Sequence, residues 1–178
     1  MVTGIPPAGW FVLVACAVAA VTDLRTRRIP NAVTLALTLV ALMLHGLEGW
    51  ASFGIAFATL AAVLVLGTLA FSMGWLGGGD VKLLAAGAAA FGWPDAVPFL
   101  VYTAIGGGVL AVVVALATGR LRSVLASVAQ IVRPLAYTGT EAVPPRDPIM
   151  LPYALAIAFG AGAVLLSHTV APFLRLPI

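Results

Sequence analysis

"WLGGGDVKLL", residues 75–84, decides how this chain is read. It closes one long apolar run, breaks on three consecutive glycines, and opens the next apolar run with an aspartate and a lysine. Around it, 62% of the 178 residues are hydrophobic and only 8% are charged, far from the composition of a water-soluble domain. The chain is therefore read as an all-α polytopic membrane protein. An acid inside it needs a reason, because an ionisable side chain within a bilayer is costly unless it is paired or put to use.

Working outward, apolar segments run over 5–22, 32–47, 51–74, 81–93, 97–118 and 150–170, which predicts six transmembrane helices in a single domain covering 1–178. The second and fourth are short against the roughly 20 residues a span requires. Breaks such as "RRIPN", "HGLEGW" and "GWPDAVP" carry the expected turn residues. Lys and Arg set the orientation. Arg25, Arg27 and Arg28 fall in the first loop, Lys82 at the third, and Arg120, Arg122, Arg133 and Arg146 in the fifth, leaving Arg175 alone at the other face. The odd-numbered loops are thus expected in the cytoplasm and both termini outside, as in a multi-pass protein of a bacterial-type inner membrane. Basic residues scattered over loops form no nucleic-acid surface, so lipid and protein partners are expected and nucleic acid is not.

The fifth loop, 119–148, is too long for a plain connection. Within it, 120–133 has the spacing of an amphipathic helix, lying in the membrane interface or packed on the bundle ends. Cys16 is the only cysteine, which leaves no intramolecular disulfide and no cysteine-rich zinc module. "LVAC", residues 13–16, looks like a lipoprotein cleavage box, but no Lys or Arg precedes Arg25, so residues 9–22 are read as a retained first helix.

Asp23 ends the first apolar segment and Asp80 begins the fourth. These helices run in opposite directions, so both acids belong to the cytoplasmic side. Trp10 and Trp93 stand equally far from Asp23 and Asp80, about 20 Å at ~1.5 Å rise per residue. If both tryptophans lie in the outer aromatic belt, the carboxylates share a depth, roughly 10 Å inside the cytoplasmic edge of a core about 30 Å thick. Structural roles stand beside this one. Asp23 could pair with Arg27 at i+4, and Asp80 could be the N-cap of the fourth helix. Neither explains the matched depth. Two nearby carboxylates cannot both ionise cheaply, so one keeps a proton as acid while the other activates water as base. Either aspartate can be the base. Gly77, Gly78 and Gly79 would then let a substrate backbone approach, where the plain alternative is a flexible turn. Lys82, two residues from Asp80, faces elsewhere and is expected to reach for the interface.

"TDLRTRRIPN", residues 22–31, followed by "GGGDVKLL" resembles the type IV prepilin peptidase family of intramembrane aspartyl proteases with a Gly-x-Gly-Asp motif, and "MLPYALAIAFGA", residues 150–161, is similar to its last helix. The resemblance implies a peptidase that removes the short basic leader of pilin-like precursors, cutting after a glycine on the cytoplasmic side. It implies catalytic roles for Asp23 and Asp80, and places Gly77 and Gly79 in the family's glycine motif. Pro30 and Asn31 match the turn after the first motif, where Asn31 can cap the second helix, and Tyr153 is a further site-lining candidate. Larger members carry a cysteine-paired insert and methylate the new N-terminus. This chain has one cysteine, so cleavage without methylation and without cofactor or metal is expected, as in the compact peptidases of Flp-type (tight-adherence) pili, with pilus or secretion machinery as partner.

Other classes make different demands. A proton- or ion-coupled transporter would spread charges along a path across the bilayer, whereas the outer half here offers only the loop acids Glu48 and Asp95. A metalloprotease would need His-Glu-x-x-His; His45 and Glu48 are three apart and His168 stands alone, so these histidines are read as interface residues. An inactive assembly factor of a pilus system keeps the same sequence pattern and is separated only by assay.

Overall fold

The computed structural model describes residues 7–26, 29–119 and 153–169. Among them the regular elements are α1 (Pro7–Thr26), α2 (Asn31–Glu48), α3 (Trp50–Ser72), α4 (Gly78–Phe91), α5 (Ala96–Ala117) and α6 (Tyr153–Thr169). Two compact units are distinguished, Met1–Gly107 with Pro152–Ile178, and Gly108–Leu151. Of the second, the C-terminal half of α5 and the turn through Gly119 are described. The amphipathic segment expected at 120–133 lies outside the described residues.

Four helices, α1, α2, α3 and α5, are long and apolar enough to cross a membrane. They present large apolar side chains outward, among them Val14, Val18, Leu35, Leu39 and Leu66, a surface that suits lipid and would associate in water. The protein is a membrane protein on these grounds. Of the six spans expected, four are met by helix length; α4 has 14 residues and α6 has 17. Sharp punctuation joins the elements. Gly49, at φ 141°, turns α2 directly into α3, and Gly92, at φ 66°, ends α4, both conformations that side-chain-bearing residues rarely adopt.

The first unit is built around α4, which packs against α1, α2, α3 and α6. Val81, Leu83 and every residue from Ala85 to Phe91 are buried. A helix enclosed on most sides needs no polar stripe, and its run of alanines with Gly87 lets neighbours come close. A Cβ on Gly87 would lie 2.8 Å from the Phe99 ring of α5, and one on Gly67 of α3 would lie 2.7 Å from Val81. Gly160 of α6 similarly admits the backbone of α5, where a Cβ would sit 2.9 Å from the Thr103 nitrogen. Phe99, Leu83, Ile157, Val12, Val164 and Cys16 are the bulk of the buried core. Against the sequence expectation of 81–93, α4 begins earlier, inside the glycine run, and ends at Phe91.

Candidate active site

The start of α4 sets the position of Asp80. Gly77 is the N-cap, extended at φ −76° and ψ 148°, which makes Asp80 the third helical residue. The capping position considered for Asp80 therefore belongs to Gly77. The Asp80 carboxylate folds back and accepts a hydrogen bond from the Gly77 N–H, the acceptor half of a capping box. A Cβ on Gly77 would lie 2.7 Å from Asp80 Oδ2, so the carboxylate fills the space a side chain would need. The other glycines differ. At Gly79 a Cβ would stand 3.1 Å from the Cβ of Ile29, whereas at Gly78 it would make ordinary contact, 3.6 Å, with the Phe71 ring.

Asp23 lies one turn before the end of α1 and, like Asp80, is half-buried. Beside it, the Thr22 hydroxyl bonds back to the carbonyls of Val18 and Ala19 at 2.9 Å each, which directs it into its own helix. The Asp23 charge acts on Asp80, and the Asp80 charge acts on Tyr153. Tyr153 opens α6, half-buried, its ring held where a Cβ on Gly107 would come within 2.7 Å. Residues from α1, α4 and α6 thus share one electrostatic neighbourhood. Among the described residues the ion pairs lie elsewhere, and neither aspartate takes part in one. Arg27, the alternative partner for Asp23, lies outside the described residues.

Pro30 and Asn31 start α2. Pro30, exposed and extended at φ −62° and ψ 128°, is the N-cap, and no side chain caps the helix, so the expected cap by Asn31 is not made. Asn31 Oδ1 instead accepts a hydrogen bond from Lys82 Nζ at 2.9 Å. Lys82 is exposed but reaches across to α2. Sequence reasoning missed this pairing. The sequence offers a polar side chain in each motif, but its reading assigns Asn31 to a helix cap and Lys82 to the interface.

Beyond the other end of α4 the polar groups are matched. His45 Nδ1 lies 3.1 Å from Glu48 Oε2 and 2.9 Å from Ser52 Oγ, while Ser52 donates to Glu48 at 2.7 Å. The serine proton points at the carboxylate and not at the imidazole, so no activated nucleophile is formed. His45 Nε2 faces the Ala90 carbonyl at 3.4 Å, and His168 Nε2 lies 3.2 Å from Asp95 Oδ2. Both histidines were read as interface residues; each has a carboxylate partner. Among the described residues no three His, Cys, Asp or Glu side chains gather as a metal site.

The model of the type IV leader peptidase family matches residues 10–112, more than half of the chain. That span carries Asp23, Asn31, the three glycines, Asp80 and Lys82, and stops short of Tyr153. No curated protein and no solved structure matches the chain.

Proposed function

The chain belongs to the type IV leader peptidase family, a peptidase of the membrane, and from that premise we propose that it is an aspartyl endopeptidase using Asp23 and Asp80 as a dyad. The observation that carries this reading is that the charge of Asp23 on one helix acts on Asp80 on another, both half-buried and neither paired with a cation among the described residues. In such a pair one carboxylate is charged and takes a proton from water as the water oxygen attacks the scissile carbonyl. The other, protonated, gives its proton to the carbonyl oxygen. When the tetrahedral intermediate collapses, the amine leaves with the proton from the first carboxyl while one diol hydroxyl returns its proton to the second carboxylate as the carbonyl re-forms, and the starting pair is restored.

The substrate proposed is a pilin-like precursor of Flp type, cut after the glycine that ends its short basic leader, with no methylation of the new N-terminus. A cationic leader meets two acids, an electrostatic match. In this reading α4 and α6 lie within the bilayer alongside the four long helices. The distribution of Lys and Arg supports a cytoplasmic side of an inner membrane for the aspartate end. Gly78, where the structure leaves room, is the glycine best able to face substrate backbone, and Tyr153 the side chain best placed to line the site. The test is cleavage of such a precursor in membranes by wild type, Asp23→Asn and Asp80→Asn, since asparagine keeps the shape and cannot cycle a proton. Cleavage by both variants at the wild-type rate would remove the dyad.

A further inference from the structure

Two contacts join the segments that carry the aspartates, and acid–base chemistry uses neither. Lys82 Nζ donates to Asn31 Oδ1 at 2.9 Å, and Gly79 admits Ile29 to where any Cβ on it would stand 3.1 Å away. Both link the 29–31 turn to the first turns of α4. That turn follows Asp23 after a few residues, and Lys82 follows Asp80 by two. Sliding the turn along α4 would therefore change the separation of the carboxylates.

On the dyad reading above, the geometry points to Lys82 and Asn31 as positioning residues, whose hydrogen bond holds Asp23 and Asp80 at the separation where they can share a water and a proton. Lys82 does not join the chemistry directly, because residues two apart on a helix face different ways. Its partner is a neutral amide. An ammonium bonded to an amide oxygen keeps a charge-assisted bond without adding a third negative charge beside two carboxylates. The bond is exposed, so it contributes little to global stability. Misplacement of a catalytic group by about 1 Å, however, can cost roughly a hundredfold in rate. The pair should therefore govern turnover and leave folding alone.

The experiment uses the full chain, in detergent and in membranes, with a Flp-type precursor. Lys82→Met, Asn31→Ala and their combination are compared with Lys82→Arg, which keeps a donor. Each single loss is expected to lower kcat roughly ten- to a hundredfold with KM nearly unchanged, the double variant falling no further than the worse single. Lys82→Arg should recover most of the rate, and all variants should unfold thermally within about 2 °C of wild type. Wild-type kcat in Lys82→Met, or losses that multiply in the double variant, would overturn the pairing. A raised KM at unchanged kcat would make the lysine a precursor contact instead, and a matching loss of thermal stability would make the bond merely structural. Asp23→Asn and Asp80→Asn in the same assay keep the two readings apart. If they cleave normally, the dyad fails and the pairing with it; if they are silent while Lys82→Met is normal, the pairing alone fails.

Discussion

Around the C-terminal end of α4, Glu48 lies 3.1 Å from His45 and Asp95 lies 3.2 Å from His168; at its N-terminal end, Asp80 feels the charge of Asp23 and neither aspartate has an ion-pair partner among the described residues. The same helix thus has carboxylates in two regimes. Where a histidine answers each acid, the group ties ends of the chain's elements together, as His45 of α2 does by bridging Glu48 and the Ala90 carbonyl of α4. Where the charge of one acid acts on another, the proximity itself does nothing for folding, because like charges repel. Such an arrangement persists when chemistry requires it.

The contrast breaks most directly if the two kinds of carboxylate behave alike. Asp23→Asn or Asp80→Asn is expected to lower precursor cleavage by about 10²- to 10⁴-fold, the usual weight of a positioned acid or base. Glu48→Gln and Asp95→Asn should stay within about threefold of wild type in the same membranes. Equal losses at both ends would erase the distinction. A smaller effect sharpens it within the glycine run. Gly77→Ala pushes a methyl into the space of the Asp80 carboxylate and should cost about tenfold in kcat, whereas Gly78→Ala, at the glycine proposed to face substrate, should raise KM and leave kcat within about twofold. Equal kcat values for the two variants would show that the carboxylate does not depend on that space. The smallest effect belongs to the other end. His45→Ala removes a partner from a largely exposed Glu48 and should cost about 1 kcal/mol, seen as a fall of a few degrees in thermal unfolding with cleavage intact. Loss of cleavage at unchanged stability would place His45 in the reaction.

Much of this was legible before any coordinates. Apolar run lengths gave the helices to within a few residues at most ends. Two things were not. The central place of α4 was masked because a short, alanine-rich apolar segment reads as a weak span, when its small side chains are what let four helices surround it. The partner of Lys82 was hidden because helical spacing says which way a side chain faces and not what it meets 51 residues away. Asn31 was misread for the same reason: an asparagine at the first position of a helix looks like a cap until another chemical partner is seen to hold it. The glycines were read as one opening, although the carboxylate takes up the room at Gly77 and Ile29 presses against Gly79.

The approach of Ile29 to Gly79 also limits how descendants of this chain can drift. A methyl at 79 would stand 3.1 Å from the Cβ of residue 29, an atom every amino acid except glycine possesses, so a shorter side chain at 29 does not relieve the contact and the two segments must move apart by a few tenths of an ångström. Outer helices can trade one apolar residue for another with little penalty; at this seam a side chain on 79 first has to push two segments apart.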